Sequence, residues 1–503
     1  MRNSEDLDRI LMKITFYGAT QTVTGSKYVI ESEGYRLLLD CGMYQGKRDV
    51  SNALNKTFPF DASSIDAMIL SHAHTDHCGL IPILIKNGFS GKIYCTAPTA
   101  DIAKFILEDA ASIQEQDALY FNKHLPAGQK PIEPLYTKQD VKKSFSYFAP
   151  VPYFRLTQQW TQLAPNIRFK FYDAGHILGS AVTLLEITEA GEIKRLVFTG
   201  DLGRHFLPIL RDPEFVEEPA ETLIMECTYG NRLHRPVTDL EGDLKNIINE
   251  AIKNKSKIIV PTFSLGRTQE LLYMIHKLID AKEISRLPIF IDSPLAQKIT
   301  RVFGTYTADF DEEFWNDFGE RGESAFLFRN LITTVSIEES KSINNKEGPY
   351  IVIAGSGMCE GGRVLHHLKN NIENPNSIIL ITGYQAQHTL GRKIVEISKA
   401  QVHPVKSAPP VGGAVSSEVG QFDRVKIYGQ EYHVKAKVIS LDELSAHADQ
   451  KDLLSYALHI KNLKNVFLIH TEMPEAEAFS SLLKKEAPSL SVNIPSQGQE
   501  FEI

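Results

Sequence analysis

The stretch His72-Ala73-His74-Thr75-Asp76-His77 directly follows a short apolar run, residues 67–70. An apolar run of this length predicts a buried strand, which would deliver the six residues to the edge of a sheet. Imidazole nitrogen and carboxylate oxygen are the ligands that zinc and similar cations accept. Without a metal, imidazoles packed this closely would repel one another when protonated and leave polar atoms unpaired when buried. The stretch therefore predicts a metal site.

The cluster holds more ligands than one catalytic metal ion requires. Such an ion keeps about three protein ligands and leaves one position open. We therefore expect two metal ions, with His72 and His74 on one and Asp76 and His77 on the other. A single histidine near a strand end is usually a structural residue, but a structural role does not account for four candidate ligands in six positions.

Length and composition are typical of a globular protein with several domains. The chain has 503 residues, of which 43% are apolar and 23% are charged. This length exceeds what one hydrophobic core supports, so we expect two or three domains. The formal net charge of −8 argues against unspecific binding of nucleic acid, although an acidic protein can still carry a local basic channel.

The cysteines and the apolar segments bear on the location of the protein. Five cysteines are scattered along the chain without a C-x-x-C pair, which is typical of a reducing compartment. The apolar segments are shorter than the ~18 residues of a membrane span, and the polar first residues lack the layout of a secretory signal. We expect a cytoplasmic protein without a membrane partner.

The pattern of apolar residues changes along the chain. Short strands dominate the first part, and some of them end in potential ligands such as His176 and Asp201. From about residue 230, helical segments alternate with short buried strands, which predicts a parallel sheet with helices on both faces. Residues 402–421 are rich in Pro, Gly and Ser and are predicted to form an exposed loop. Two further strands end near His447 and His470.

Strand ends far along the chain offer the remaining ligands. A two-metal hydrolytic site needs roughly six or seven protein ligands, one of which bridges the metals. The carboxylate of Asp201 is the natural bridge, and His176 and His470 can complete the two metals. The predicted metal ligands are His72, His74, Asp76, His77, His176, Asp201 and His470.

These residues resemble the motifs of a known superfamily. Asp40, residues 72–77, His176 and Asp201 occur in the order of the metallo-β-lactamase motifs. The later segments are similar to motifs A, B and C of the β-CASP nucleases. They are MECTYGNR (225–232), SAH (445–447) and IH (469–470), and further matching stretches are PTFSLGR (261–267), DSPLA (292–296), GSGM (355–358), GGR (361–363) and GYQA (383–386). The chain resembles bacterial and archaeal relatives of the pre-mRNA 3′-end-processing endonuclease.

The resemblance implies a particular α/β fold. A metallo-β-lactamase αββα sandwich would contain an inserted β-CASP domain, in which helices flank a parallel sheet. The expected domains are 1–228 for the first part of the sandwich, 229–434 for the insertion and 435–503 for the C-terminal return. Such an insertion would explain why His470 is so far from Asp201 in the chain.

The resemblance also implies metal-dependent hydrolysis of RNA. Two zinc ions per chain are expected, with manganese as the alternative, and single-stranded RNA is the expected partner. A histidine at motif C is the pattern of the RNA-processing branch. Catalytic roles fall to His447, Glu226 and Asp76, with His447 as the acid for the leaving group and Glu226 orienting it. Asp40 is expected behind the ligands, as a hydrogen-bond acceptor for the loop that holds them.

Junctions between loops and helices supply candidates for phosphate binding. Backbone N–H groups at a helix N-terminus bind anions, and arginine binds phosphate through paired hydrogen bonds. An ion pair on the surface explains each arginine equally well. The candidates are Ser445, Ser356, Gly357, Arg267, Arg363 and Arg392.

Two other functions stay open on the sequence alone. Glyoxalase-type thioesterases and lactonases share the histidine cluster, although they lack the α/β insertion. Some β-CASP homologues have lost ligands and act as non-catalytic scaffolds in RNA processing. The sequence does not decide between endonuclease and 5′–3′ exonuclease action, and it leaves open the RNA substrate, the native metal and a homodimer.

Overall fold

The computed structural model describes residues 12–46, 48–126, 128–236, 238–319, 325–383, 385, 388–402, 423–441 and 445–503. The chain divides into two compact units, which are Met1–Leu233 with Ala446–Ile503, and His234–Ser445. The loop predicted at 402–421 lies outside the described residues, apart from Val402, which ends a helix.

The first unit contains two sheets. In spatial order, the first sheet consists of Gln499–Glu502 (β22), Lys13–Gly18 (β1), Lys27–Ser32 (β2), Tyr35–Leu39 (β3), Ala67–Ile69 (β4), Lys92–Cys95 (β5) and Phe148–Pro150 (β6). The second consists of Ser491–Asn493 (β21), Asn465–Ile469 (β20), Thr222–Glu226 (β11), Glu192–Phe198 (β10), Ala181–Glu189 (β9), Ile167–Asp173 (β8) and Thr161–Ala164 (β7).

The two sheets pack face to face over an apolar core. In β1, buried Ile14 and Phe16 alternate with half-buried neighbours, as expected for a strand with one face on a core. Phe16 contacts Phe467 of the second sheet, with ring centroids 5.2 Å apart. The same core contains Phe169 and Phe198 from the second sheet.

Helices cover the outer faces of this sandwich. A second core joins the outer face of the second sheet to two helices through residues such as Leu453 and Phe479. The helices of the first unit are Arg48–Leu54 (α1), Thr75–Cys78 (α2), Ile81–Lys86 (α3), Ala97–Lys123 (α4), Lys138–Ser144 (α5), Phe154–Thr157 (α6), Gln450–His459 (α14) and Met473–Glu486 (α15). The layers therefore have the predicted αββα order.

The second unit is built on a parallel sheet. Its spatial order is Leu331–Thr333 (β14), Ile289–Ile291 (β13), Tyr350–Ala354 (β15), Lys257–Pro261 (β12), Ile378–Ile381 (β16) and Lys437–Ser440 (β19). Its helices are Thr238–Asn254 (α7), Arg267–Asp280 (α8), Pro294–Thr305 (α9), Glu312–Phe318 (α10), Ile337–Asn344 (α11), Val364–Asn371 (α12) and Leu390–Val402 (α13), and Arg424–Ile427 (β17) and Gln430–His433 (β18) form a hairpin. The predicted architecture of a sandwich interrupted by a parallel sheet with flanking helices is confirmed.

The two units divide close to the predicted domain boundaries but not at them. The first division follows Leu233 rather than residue 228. The second follows Ser445 rather than residue 434, because β19 pairs in parallel with β16 and so belongs to the sheet of the second unit. The chain therefore returns to the first unit later than the boundary that the resemblance implies. Among the described residues, no helix combines the length and the hydropathy that crossing a bilayer requires.

Candidate active site

The candidate ligands lie at strand ends of the first unit. In the first sheet, β4 runs parallel to β3 and β5, and the chain continues from its end into Ser71 and His72. In the second sheet, β10, β11 and β20 are parallel neighbours. Because parallel strands end at the same edge of a sheet, Asp201, Glu226 and His470, which end or follow these strands, are brought together. The short helix α2 then carries two of the ligands in the cluster.

One group of four side chains forms a compact set of metal-binding atoms. His72 Nε2 lies 3.0 Å from His74 Nδ1, and His176 Nε2 lies 3.3 Å from the same His74 atom. Asp201 Oδ2 lies 3.5 Å from His72 Nε2 and 3.6 Å from His176 Nε2. Ligands at about 2.1 Å from a tetrahedral cation lie roughly 3.4 Å from one another, so this spacing fits a divalent cation.

A second group lies beside the first and shares one carboxylate with it. Asp76 Oδ2 lies 3.4 Å from His470 Nε2. Asp201 Oδ1 lies 3.3 Å from His77 Nε2 and 3.8 Å from a ring nitrogen of His470. The two oxygens of Asp201 therefore face different groups, which is the arrangement of a bridging ligand.

Burial and charge prepare these groups to bind a cation. Burial lowers the pKa of His72, His74 and His176, to about 4 for His74, so these imidazoles are neutral at pH 7 and free to ligate. Burial alone would raise the pKa of Asp201, but His470 and His77 hold it well below its usual range. Buried Asp201 Oδ1 and His176 Nδ1 have no hydrogen-bond partner among the described residues. A cation beside Asp201 would satisfy its oxygen.

Asp40 and Ser71 support the histidines of the 72–77 stretch through hydrogen bonds. Asp40 Oδ2 accepts a hydrogen bond from His77 Nδ1 at 2.7 Å and another from the Ser71 hydroxyl at 2.8 Å. Its other oxygen accepts from the backbone N–H of Ser71 at 2.8 Å. The Ser71 hydroxyl also lies 3.0 Å from His72 Nδ1. Asp40 thus holds His77 through Nδ1 and leaves His77 Nε2 facing the second group, while its supporting role for bound cations stays a prediction.

Thr228 orients His470 in a similar way. Its hydroxyl lies 3.0 Å from His470 Nδ1 and donates to the His470 carbonyl oxygen at 3.1 Å. Neither Ser71 nor Thr228 is predicted as a functional residue from the sequence. The sequence gives only a weak indication of their role, because each is a hydroxyl residue next to a predicted ligand or a motif residue, and serine and threonine are common at such positions.

His447 and Glu226 form a pair at the edge of the ligand groups, in which Glu226 is buried and His447 is partly buried. His447 Nδ1 lies 2.9 Å from Glu226 Oε1. The carboxylate is fixed because it accepts hydrogen bonds from the backbone N–H groups of Leu202 at 2.8 Å and Thr228 at 3.1 Å. Burial would lower the pKa of His447, but Glu226 outweighs it and raises that pKa to about 9. The ring of His447 lies 4.5 Å from the ring of His176, measured between centroids.

The predicted phosphate-binding residues lie in the second unit, and each arginine among them is already paired. Arg363 donates to Asp292 Oδ1 and to the Val335 carbonyl oxygen, both at 2.7 Å. Arg267 pairs with Glu270 at 2.5 Å, and Arg392 pairs with Glu396 at 2.6 Å. Phosphate binding by these arginines stays a prediction, and the ion pairs favour a structural role.

The other phosphate candidates are held in their own loops. The Ser356 hydroxyl accepts hydrogen bonds from the N–H groups of Glu360 and Gly361 at 3.0 and 3.2 Å. A side chain at Gly357 would lie 2.8 Å from the ring of Phe263, so the loop approaches that ring closely. Ser445 is buried. Their role in phosphate binding also stays a prediction.

Comparisons with known families agree with this geometry. The model of the metallo-beta-lactamase superfamily domain matches residues 29–199. The Beta-Casp domain matches residues 268–394. The Zn-dependent metallo-hydrolase RNA specificity domain matches residues 431–495. The first of these families implies binding of a divalent metal, and the two ligand groups provide a place for it.

Several curated proteins are similar over nearly the whole chain. A ribonuclease of Thermus thermophilus is 32% identical, and the alignment covers 96% of this chain and 98% of that protein. An RNase J-like protein of Methanocaldococcus jannaschii is 30% identical, with 94% and 96% covered. The transcription termination factor FttA of the same archaeon is 27% identical, with 94% of this chain and 69% of that protein covered.

One solved structure, a protein of unknown function from Enterococcus faecalis, shares the fold with a TM-score of 0.52 at 13% identity, and covers 98% of this chain and 100% of that one. The family matches agree with the ligand groups and with the interrupted sandwich. The chain belongs to the β-CASP family of the metallo-β-lactamase superfamily and is a metal-dependent hydrolase.

Proposed function

We propose that this protein is a two-cation ribonuclease that hydrolyses phosphodiester bonds of single-stranded RNA in RNA processing or decay. The observation that carries the proposal is the His447–Glu226 pair, in which the carboxylate is buried, beside two groups of metal-binding side chains. A hydrolase needs such an acid only where the leaving group must be protonated, as the departing 3′ oxygen of a phosphodiester must. The names of the relatives, a ribonuclease and an RNase J-like protein, support RNA as the substrate.

The ligand assignment follows the two groups. We assign His72, His74 and His176 to one cation, Asp76, His77 and His470 to the other, and Asp201 to both. The short distances within each group and the position of Asp201 between them support this assignment. Zinc is the proposed metal because imidazoles dominate the ligand set, and manganese is the alternative.

The bound cations would supply Lewis acidity, which makes water nucleophilic near neutral pH and neutralises charge on the phosphoryl oxygens. The protein itself holds and moves the protons. Glu226 fixes the tautomer and orientation of His447 by accepting from Nδ1, which leaves the proton on Nε2 for the departing oxygen. Asp40 and Thr228 keep the rings of His77 and His470 facing the site.

We place the protein in a reducing compartment because of the state of its cysteines. All five are free and buried, which is typical of the cytoplasm. The mode of cleavage and a homodimer stay predictions.

The test uses one RNA with a label at the 5′ end, the same RNA with a label at the 3′ end, and DNA of the same sequence. Purified protein is stripped with a chelator and then reloaded with zinc or manganese. We expect cleavage of RNA only after reloading, and the two labels will separate endonuclease from 5′–3′ exonuclease products. Asp201→Asn is the matched inactive control.

Two outcomes would contradict the proposal. Metal-loaded protein that hydrolyses a small thioester but no RNA would favour a thioesterase. Protein that binds stoichiometric cation and hydrolyses no ester would favour a scaffold.

A further inference from the structure

Lys27, on β2 of the first unit, is a fully buried lysine. Its relative exposure is 2%, and its ammonium group forms no ion pair among the residues that the structure describes. Its protons have other acceptors. Nζ donates to the Gly25 carbonyl oxygen at 2.9 Å and to the Gly42 carbonyl oxygen at 2.6 Å, and it lies 4.2 Å from the centroid of the Tyr44 ring.

Burying this ammonium group is costly. Moving a charge out of water without an opposite charge beside it is unfavourable. Burial lowers the pKa of Lys27 to about 8, so the group still carries its proton at pH 7. An aliphatic side chain would fill the same space without this cost. What the lysine adds is therefore a pair of hydrogen bonds that connects the Gly25 and Gly42 carbonyl groups through its ammonium group.

Those carbonyl groups belong to two loops that are joined at this point. Gly25 lies before β2 and Gly42 lies after β3. The loops also meet directly, since the Gly42 N–H donates to the Ser26 carbonyl oxygen at 2.9 Å. Lys27 adds two hydrogen bonds across the same junction.

Both loops hold the turn that carries two predicted ligands. The Ser26 N–H donates to the Asp76 carbonyl oxygen at 2.9 Å, and the Cys41 N–H donates to the His77 carbonyl oxygen at 2.7 Å. The contact is tight, because a Cβ atom at Gly42 would overlap the backbone of Asp76. A shift of either loop therefore moves the turn.

We propose that Lys27 is a positioning residue for the cation ligands Asp76 and His77. Its ammonium group ties Gly25 to Gly42, and the joined loops fix the backbone of the ligand turn. The inference rests on the proposed function in so far as that function assigns Asp76 and His77 to a cation. The ligands His72, His74 and His176 do not depend on this junction in the same way, because the loops donate to the turn and not to them.

The test compares Lys27→Met with Lys170→Met. Lys170 is also a buried lysine of the first unit, at 4% exposure. It pairs with Glu218 and lies over the Trp160 ring, with 4.4 Å to the centroid, so its replacement removes a buried charge without touching the ligand turn. Each stripped protein is titrated with Co²⁺, and the visible spectrum reports the ligand field of each bound ion. Thermal unfolding of the stripped proteins checks the fold.

The wild type and Lys170→Met are expected to take up two equivalents of Co²⁺. Lys27→Met should take up the first equivalent with an unchanged spectrum and affinity, and the second with an affinity lower by about 10- to 100-fold, the usual effect of losing support behind a metal ligand. Lys27→Gln keeps an N–H donor and should fall between the two. It also serves as the variant to read if Lys27→Met does not fold.

Several outcomes overturn the inference. One is that Lys27→Met binds both equivalents of Co²⁺ with wild-type affinity. Another is that Lys27→Met weakens both equivalents equally. A third is that Lys170→Met weakens the second equivalent as much as Lys27→Met does. If the wild type takes up only one equivalent of Co²⁺, both this inference and the proposed two-cation site are refuted. The proposed function and the role of Lys27 can fail separately. If the wild type cleaves no RNA but Lys27→Met weakens only the second equivalent of Co²⁺, the proposed substrate is refuted and the role of Lys27 is supported.

Discussion

At the scale of single residues, the Glu226 carboxylate determines what His447 can do. Two backbone N–H groups and the imidazole hold its oxygens, so it cannot turn away from the ring. A fixed carboxylate favours the protonated imidazole and selects which nitrogen faces the site. His447 also lies in a third group, with Asp201 and His470, that could hold a cation. Its role as a proton donor therefore stays a proposal.

Replacing His447 should separate proton transfer from cation binding. We expect His447→Ala to slow single-turnover cleavage of RNA by about 10²- to 10⁴-fold, the usual contribution of a positioned acid. The cation content should not change, because the seven proposed ligands remain. Cleavage rates and elemental analysis of the same samples measure both quantities.

A matched control for this variant is His459→Ala. His459 lies on α14 in the same unit and pairs with Glu217 at 3.2 Å, away from the ligands, so its loss should leave the rate unchanged. Loss of cation in His447→Ala would show that His447 is a ligand and would refute its role as the acid.

Some features of the site follow from residue spacing, others from motif resemblance, and others only from the structure. Spacing alone predicts His72, His74, Asp76 and His77 as ligands, because four such side chains crowded into one turn would be unfavourable without a cation between them. The pairing of Glu226 with His447 came from motif resemblance, since 221 positions separate them in the chain. The lysine at 27 gave no signal, because a single lysine in a strand is ordinarily exposed.

At the scale of elements, two glycines illustrate opposite constraints. A Cβ atom at Gly42 would overlap the backbone of Asp76, whereas Gly242 in the second turn of α7 has open space around it. The loop after β3 therefore requires glycine, and the helix does not. A glycine within a helix costs stability because its backbone loses more freedom on folding.

Alanine at these two positions should have opposite effects. Gly242→Ala is expected to raise the free energy of unfolding by up to about 1 kcal/mol. Gly42→Ala is expected to lower it by about 1–3 kcal/mol, because the loop and the ligand turn must move apart, and it should also weaken cation binding. Urea unfolding of the stripped proteins measures the first quantity, and Co²⁺ titration measures the second. Equal behaviour of the two variants would contradict the packing at Gly42.

Strands with a strong apolar pattern were predictable, and strands held by neighbours were not. The apolar runs at 35–39 (YRLLL) and 350–354 (YIVIA) each predict a strand, and both coincide with the bounds of β3 and β15. Strand β22 was not predicted, because its residues QEFE lack the pattern of a strand. This strand forms because it pairs antiparallel with β1 over residues Gln499 to Glu502, so its stability comes from the partner and not from its own side chains.

At the scale of the whole molecule, cation binding links distant parts of the chain. The proposed ligands range from His72 to His470, on both sheets of the first unit. A cation that binds only when these segments are together stabilises the folded state, by about 2.7 kcal/mol when its concentration is 100 times the dissociation constant.

Removal of the cations should therefore lower the thermal stability of the protein. We expect a chelator to lower the first unfolding transition in calorimetry by several degrees, and added zinc to restore it. Asp201→Asn weakens both proposed cation sites and should show little change with the chelator. An equal shift in the wild type and in Asp201→Asn would mean that the effect does not come from this site.

The amino-acid sequence by itself determined the chemistry of the site and the class of the fold. Ligand types within one turn and the periods of apolar residues are local properties, so they can be read without a structure. Only the tertiary structure decided which distant residues meet. The parallel neighbours β10, β11 and β20 bring Asp201, Glu226 and His470 to one edge, and the meeting of two loops at Lys27 gives a buried ammonium group its acceptors. The positions of these residues in the chain do not indicate that they meet, because their contacts form only when distant strands pair and distant loops pack against each other.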